Sequence, residues 1–128
     1  MLNLYQEIIM DHYKNPHNHG LLEAYDFNAT KLNSSCGDEI TVTGTIKDNT
    51  IQIITFEGKG CVISQATASM LTDYVRNKSL KTVLDLDKDD ILAMLAIPLG
   101  PVRLLCALLP LQAIQNGIKE YQNYARSL

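Results

Sequence analysis

The spacing of hydrophobic residues changes at the Gly-Lys-Gly segment 58–60, and this change limits what the chain can fold into. Before it, apolar and polar side chains alternate over 40–46 and over 51–57, which predicts two strands joined by a turn at Asp48-Asn49. After it, apolar residues recur every three or four positions from 62 to about 77, which predicts a helix. We expect Gly58 and Gly60 to end the hairpin. A helix that follows an antiparallel hairpin indicates the α+β class.

The segments on either side add further predicted elements. Apolar spacing predicts an amphipathic helix over residues 2–14, ended by Asn15-Pro16 and followed by a loop to Gly20. Residues 25–33 alternate weakly and are interpreted as another strand. Together with the hairpin, this strand predicts a small antiparallel sheet.

The C-terminal third is predicted to be helical. Ser79 and Asp87 lie where the N-caps of two short helices belong, and a long helix follows the loop at 98–101. Pro110 falls inside this last helix and is predicted to kink it. We therefore expect one α+β domain over residues 1–128, with a small antiparallel sheet packed against helices.

Composition excludes two classes of function. The net charge is −3 and no basic patch is visible, so nucleic-acid binding is not expected. Residues 91–111 are apolar and long enough to cross a bilayer, but a bilayer helix with so many interruptions needs neighbouring helices to satisfy its backbone. Membrane insertion is therefore not expected. The interrupting residues are Pro98, Gly100, Pro101, Arg103 and Pro110.

The N-terminus and the cysteine count indicate the compartment. Glu7 and Asp11 lie in the first segment, and no basic region precedes an apolar stretch, so a secretory signal is not expected. The chain has three cysteines, and an odd number without a secretion signal favours free thiols in a reducing compartment. We expect a cytoplasmic protein.

Each cysteine has a simple interpretation as a small buried hydrophobic residue, but the local contexts favour chemistry. Cys36 lies in the polar turn SSCGDE, and Cys61 lies at a predicted helix start, where free N–H groups and the helix dipole stabilise a thiolate. Cys106 lies near the start of the last helix, three residues after Arg103. These contexts are typical of thiolates that bind a soft metal or handle sulfur. The spacings of 25 and 45 residues are not those of a zinc ribbon with paired Cys-x-x-Cys motifs.

Three thiolates leave one tetrahedral position open. Asp38 is the nearest oxygen ligand, and a histidine is the alternative. His12, on the apolar side of the first helix, is expected to be packed and hydrogen-bonded. His17 and His19 are expected to be solvated loop residues.

The motifs together resemble a known family. The segments LYQEIIMDHYKNPHNHG, SSCGDEI, FEGKGCVISQATASM and PVRLLCALLPLQAI cover most of the chain. They are similar to the U-type iron–sulfur cluster assembly scaffolds, the NifU N-terminal domain family with its IscU and SufU branches. The three cysteine motifs in this order, with Cys-Gly-Asp first, carry the resemblance.

The resemblance implies a fold, a site and partners. The fold would be a three-stranded antiparallel sheet packed on helices, with Cys36, Asp38, Cys61 and Cys106 converging at one exposed end. The protein would be a scaffold rather than an enzyme. It would accept persulfide sulfur from a pyridoxal-phosphate cysteine desulfurase, with Cys106 as acceptor, build a transient iron–sulfur cluster and pass it to apo-proteins. Zinc would bind in the same site, and in the SufU branch it would take part in sulfur transfer.

Three features bear on the branch and on a chaperone partner. IscU-type members carry a histidine before the last cysteine, where this chain has Leu105, which favours the SufU branch. SufU-type members usually carry an insertion between the second and third cysteines, which this chain lacks. The LGPVR stretch at 99–103 is similar to the segment that IscU-type members offer to an Hsp70-type chaperone. A helix N-terminus with Pro101 in its first turn explains the same residues.

Two other classes remain open at this point. A purely structural zinc centre would unfold when a chelator removes the metal. A hydrolase would use one cysteine as nucleophile and would need a histidine within hydrogen-bond reach of that thiol.

Overall fold

The computed structural model describes residues 3–128, which form helices and one antiparallel sheet. In chain order the elements are α1 (Leu4–Lys14), β1 (Phe27–Asn33), β2 (Asp38–Lys47), β3 (Thr50–Lys59), α2 (Val62–Val75), α3 (Leu80–Leu84), α4 (Lys88–Leu95) and α5 (Pro101–Ser127). The predicted α+β fold with a three-stranded sheet is confirmed within this range. The predicted start of the first helix at residue 2 lies outside the described residues.

The sheet has the order β1-β2-β3, and both pairings are antiparallel. Its register aligns Ala29, Val42 and Phe56 in one row across the sheet. All three are buried, since alternate residues of a strand face the same side. Asp38 lies on this side too, two residues before Ile40, so the strand directs its carboxylate toward the core.

The predicted end of the hairpin at Gly58 is wrong, because β3 continues through Gly58 to Lys59. Gly58 pairs with Ile40, and a side chain at this position would collide with the carbonyl of Glu39. The glycine therefore serves close packing within the sheet. The strand ends before Gly60, whose φ of +136° is strained for other residues.

Helix α2 stops two residues earlier than predicted. Arg76 is extended and Asn77 adopts a left-handed conformation with φ of 65°. The Asn77 N–H donates to the carbonyl of Ile51 at 2.8 Å, so the chain leaves the helix to bond with β3. Short-range periodicity does not reveal this long-range contact.

The predicted helix caps are confirmed. The Ser79 side chain accepts from the Thr82 N–H at the start of α3. Asp87 forms a capping box with Asp90 at the start of α4.

Helix α5 starts with Gly100 as N-cap and Pro101 at its first position, as the helix-start explanation of LGPVR requires. Pro110 is buried inside α5, which continues on both sides of it. Proline has no N–H, so the Cys106 carbonyl lacks the donor that the fourth following residue usually provides. Within residues 3–128, no helix has the length and apolar character needed to cross a membrane.

The core lies between the sheet and helices α2 and α5, with α1 packed along α2. Its largest fully buried side chains include Phe56, Ile40, Leu71, Ile114 and Ile118. Each such side chain contributes about 1.5–3 kcal/mol relative to solvent exposure. This apolar core fixes the ends of β2, α2 and α5, which carry the site.

Candidate functional site

Three separate segments bring the three cysteines and Asp38 together at one end of the sheet. Cys36 lies in the turn between β1 and β2, and Asp38 is the first residue of β2. Cys61 is the N-cap of α2, and Cys106 lies in the second turn of α5. We call these four residues the thiol pocket.

The distances within the thiol pocket suit shared coordination of one ion. The Sγ atoms of Cys36 and Cys106 are 3.6 Å apart, and all the cysteines of the described chain are free thiols. One ligand atom each from Cys36, Asp38 and Cys106 lies within 4.8 Å of the other two. Cys61 does not belong to this tight group, but its Sγ is 3.3 Å from Oδ2 of Asp38. The carboxylate therefore connects Cys61 to the other two cysteines.

Asp38 is almost fully buried, with 1% of its surface exposed. The backbone N–H of Cys61 donates to its Oδ1 at 3.0 Å, which places the carboxylate at the start of α2. Burial alone raises the pKa of Asp38, but hydrogen bonds from the thiols of Cys106 and Cys61, the Cys61 N–H and the Cys36 thiol lower the pKa below its usual value overall. Asp38 is thus held as a carboxylate facing three thiols.

Two glycines with positive φ shape the backbone around the thiol pocket. Gly37, with φ of +74°, lies between Cys36 and Asp38 and lets the turn reverse within two residues. Gly60, with φ of +136°, comes just before Cys61, and a side chain at this position would overlap the Asp38 carboxylate. The glycine beside Cys61 therefore makes room for the acidic residue of the pocket.

The three thiols differ in exposure, so the pocket is less open than the resemblance implies. Cys36 is exposed, Cys61 is half-buried, and Cys106 is 3% exposed. Burial raises the pKa of the Cys106 thiol, and its hydrogen bonds to Asp38, Cys36 and Cys61 raise it further. Cys106 is therefore a buried thiol with a raised pKa, behind the exposed Cys36.

A cleft of about 480 Å³ leads to the thiols, and all three cysteines contribute to its lining. Its remaining walls come mainly from apolar residues of α1, α2 and α5, with Arg103 and Gln6 as polar residues. Low polarity around the thiols limits access of water, while the exposed Cys36 leaves one side open to solvent.

Comparison with known proteins decides the family. The model of the NifU-like N terminal domain matches residues 4–127. The chain belongs to the NifU-like N terminal domain family. It is 35% identical to the zinc-dependent sulfurtransferase SufU of Bacillus subtilis, over 90% of this chain and 89% of that protein. It is 33% identical to the iron-sulfur cluster assembly scaffold protein IscU of Streptococcus pyogenes, over 94% of this chain and 86% of the relative.

A solved structure supports the same fold. The N-terminal NifU-like protein of Brucella abortus superposes with a TM-score of 0.77, covering 94% of this chain and 95% of that structure. At 24% identity this likeness concerns the fold alone. The arrangement of sheet and helices described above is thus that of the NifU-like family.

The histidines of this family member lie away from the thiols. In the part of the chain that the structure describes, no histidine forms a hydrogen bond with a cysteine, which removes the basis for a cysteine–histidine hydrolase. His12 is half-buried and bonds to Ser69 Oγ through Nδ1 at 2.7 Å, as expected. His19 is exposed and contacts the Phe56 ring edge-on.

The expectation for His17 was incomplete. His17 is half-exposed, but its Nδ1 is 2.6 Å from Oδ2 of Asp73 on α2. Sequence reasoning missed this pair because 56 positions separate the two residues. We call His12, His17 and Asp73 the histidine cluster.

Two groups of the histidine cluster, His12 and Asp73, have lowered pKa values. Burial lowers the pKa of His12, and the neighbouring His17 lowers it further. Burial alone raises the pKa of Asp73, but hydrogen bonds from His17 and Asn18 lower it below its ordinary value overall. The cluster therefore favours a neutral His12 beside an ionised Asp73.

Proposed function

We propose that this protein is an iron–sulfur cluster assembly scaffold and sulfur acceptor. It receives persulfide sulfur, builds a labile cluster on Cys36, Asp38, Cys61 and Cys106, and passes the cluster to apo-proteins. The observation that carries the proposal is a pocket of three thiols around one buried carboxylate. The scaffold relative from Streptococcus pyogenes supports it.

The ligand set explains why the cluster would be labile. Iron–sulfur clusters in electron carriers are usually held by four thiolates. This pocket offers three, and a hard carboxylate oxygen binds a sulfide cluster less firmly than a fourth thiolate would. Such a pocket suits a cluster that is transferred to another protein.

Sulfur transfer can be written as a balanced thiol exchange. A thiolate of the pocket attacks the outer sulfur of the desulfurase persulfide, forming a new S–S bond while the desulfurase cysteine leaves as a thiolate. Cys106 stays the proposed site of the resulting persulfide. Because Cys106 is buried and its Sγ is 3.6 Å from that of exposed Cys36, Cys36 would meet the donor first and pass the sulfur inward by the same exchange.

Zinc-dependent sulfur transfer is the second candidate function. The relative from Bacillus subtilis carries this activity in its name, and Leu105 stands before the last cysteine of this chain. Cys36, Asp38 and Cys106 lie within mutual reach and Cys61 contacts Asp38, so these three sulfurs and one oxygen would hold tetrahedral zinc once the Cys61 thiol turns toward the other two. Bound zinc would supply a cation that keeps the thiols deprotonated.

The proposal includes the setting in which the protein works. Its partners would be a pyridoxal-phosphate cysteine desulfurase and apo iron–sulfur proteins, and it would act as a carrier rather than an enzyme. Free thiols suit the cytoplasm. A chaperone contact at 99–103 stays a prediction, since the start of α5 already accounts for Pro101.

Anaerobic incubation with ferrous iron, cysteine and a cysteine desulfurase tests the proposal. The wild type should develop the visible absorbance of a cluster and lose it to an apo-ferredoxin. Asp38→Ala should change how long the cluster persists while its circular dichroism spectrum stays that of a folded protein. A wild type that binds zinc but never forms a cluster would favour zinc-dependent transfer instead.

Mass spectrometry tests the role of Cys106 separately. After reaction with the desulfurase, a persulfide should appear on the wild type and be strongly reduced in Cys106→Ala. Sulfur uptake by Cys106→Ala at the wild-type rate would refute Cys106 as the acceptor. A loss of uptake in Cys36→Ala, with Cys106 still present, would support entry of sulfur through Cys36.

A further inference from the structure

The histidine cluster joins α1, the loop that follows it and the C-terminal part of α2, well away from the thiol pocket. Cys61 precedes the first turn of α2 and Asp73 is near its end, so the two residues are separated by roughly 18 Å along the helix axis. One ligand atom each from His12, His17 and Asp73 lies within 4.8 Å of the other two. The rings of the two histidines are 4.5 Å apart.

The residues around the histidine cluster fix its ligand atoms. Ser69 Oγ is 2.7 Å from Nδ1 of His12 and accepts the His17 backbone N–H at 2.8 Å. In the tautomer that donates from Nδ1 to Ser69, the lone pair of His12 lies on Nε2. Metal-binding histidines usually have such a second partner on the other ring nitrogen.

Asp73 is oriented in the same way. The Asn18 amide donates to its Oδ1 at 2.8 Å, and also to the Thr72 hydroxyl at 3.0 Å. Oδ2 is left facing His17 at 2.6 Å. A metal ion at this position would replace the proton shared between the imidazole and the carboxylate.

The cluster is open to solvent on one side. The side chains of His17 and Asp73 are 50% and 43% exposed, so an ion could reach them and keep water as a further ligand. Ligand atoms of tetrahedral zinc lie about 3.3 Å apart, given bonds of about 2.0–2.1 Å. The present separations run from 2.6 Å between His17 and Asp73 to at most 4.8 Å within the cluster, and small side-chain rotations of exposed His17 and Asp73 would bring them to the zinc spacing of about 3.3 Å.

We propose that His12, His17 and Asp73 form a second metal site, for a divalent first-row transition ion such as zinc. Its two nitrogens and one oxygen make it chemically different from the thiol pocket, which offers soft sulfur ligands. The proposal does not depend on cluster assembly, because none of its residues lies in the thiol pocket.

Metal counting tests this site. Equilibrium dialysis of the full chain against zinc, followed by metal analysis, should give two zinc ions per wild-type chain. His17→Gln should keep one, and Cys61→Ser should also keep one, at the histidine cluster. His19→Gln is the matched control, because it removes a nearby exposed histidine outside the cluster and should keep two.

Cobalt distinguishes the two sites spectroscopically. Cobalt in the thiol pocket should show sulfur-to-metal charge-transfer absorption, which Cys61→Ser should weaken. The remaining ion should show weak d–d bands that disappear in His17→Gln. Asp73→Asn gives a second variant of nearly unchanged shape if His17→Gln folds poorly.

The outcomes are decisive in either direction. A wild type that binds a single zinc ion which His17→Gln retains, or a folded His17→Gln chain that still binds two, would overturn the second site. Failure of cluster assembly with two zinc ions still bound would refute the proposed function and leave this site in place.

Discussion

The thiol pocket and the histidine cluster each take one residue from α2, Cys61 at its start and Asp73 near its end, and they differ in ligand type and in burial. The thiol pocket buries its carboxylate completely and surrounds it with sulfur, whereas the histidine cluster leaves Asp73 about half exposed beside imidazoles. Both carboxylates are fixed by a donor from a neighbouring segment, the Cys61 N–H for Asp38 and the Asn18 amide for Asp73.

The difference shows that ligand type and burial determine which metal chemistry each site favours. Soft, partly enclosed sulfur ligands favour iron–sulfur chemistry and shield it from water. Exposed nitrogen and oxygen ligands favour exchangeable divalent ions. Changes confined to one end of α2 should therefore leave the chemistry of the other end intact.

Replacement of Gly60, which packs against Asp38 of the thiol pocket, should have the largest effect. Gly60→Ala combines an unfavourable φ with a collision against Asp38, each costing about 1–3 kcal/mol, so unfolding free energy should fall by roughly 3 kcal/mol. Gly20→Ala is the control, because its φ of +123° is strained but nothing lies within 4 Å of the added carbon. Urea denaturation should show a clearly smaller loss for Gly20→Ala, and equal losses would contradict the packing of Gly60 against Asp38.

Neutralising Asp38 should have the next largest effect. Asp38→Asn weakens a charge-assisted hydrogen bond to the Cys61 N–H and should lower stability by about 1.5–3 kcal/mol. Zinc should be lost from the thiol pocket and kept at the histidine cluster. Asp26→Asn is the control, since Asp26 also accepts a backbone N–H, from Ile46, but lies outside both sites. Unchanged zinc binding in Asp38→Asn would rule out Asp38 as a ligand.

Removing the Ser69 hydroxyl should act on the histidine cluster. Ser69→Ala takes away the partner of both His12 and the His17 N–H, which should cost about 1–2 kcal/mol and weaken zinc binding at the histidine cluster. Thr67→Val is a matched change on the same helix, because the buried Thr67 hydroxyl has no hydrogen-bond partner among the described residues. Thermal unfolding should show Thr67→Val neutral or stabilised. If the Ser69→Ala protein still binds two zinc ions tightly, Ser69 does not contribute to metal binding.

Chelation should have the smallest structural effect. The buried core between sheet and helices does not involve the metal, so removal of zinc should leave the far-ultraviolet circular dichroism unchanged and only lower the melting temperature. A chain that unfolds when EDTA removes zinc would instead be a structural zinc module.

Sequence reasoning predicted the parts of this structure that depend on local patterns. Alternation located the strands, and side-chain chemistry located the caps at Ser79 and Asp87. Sequence reasoning failed where contacts with distant segments determine the end of a strand or helix. Gly58 stays in β3 because it pairs with Ile40, and α2 ends at Val75 because Asn77 bonds to Ile51.

The two sites also differ in how far the sequence predicted them. The contexts of Cys36, Cys61 and Cys106 indicated thiolate chemistry, and the family resemblance implied that they converge with Asp38. The burial of Cys106 behind Cys36 could not be read from the sequence, because it depends on how α5 packs on the sheet. The His17–Asp73 contact had no sequence signal, since it joins a loop to a helix 56 positions away.

Cluster assembly in two paired variants tests the central claim most directly. Cys106→Ser and His17→Gln are each incubated anaerobically with ferrous iron, cysteine and a cysteine desulfurase, and iron, sulfide and visible absorbance are measured beside the wild type. We predict that His17→Gln builds a cluster as the wild type does and that Cys106→Ser does not. Assembly in Cys106→Ser, or its loss in a folded His17→Gln chain, would contradict the assignment of cluster assembly to the thiol pocket.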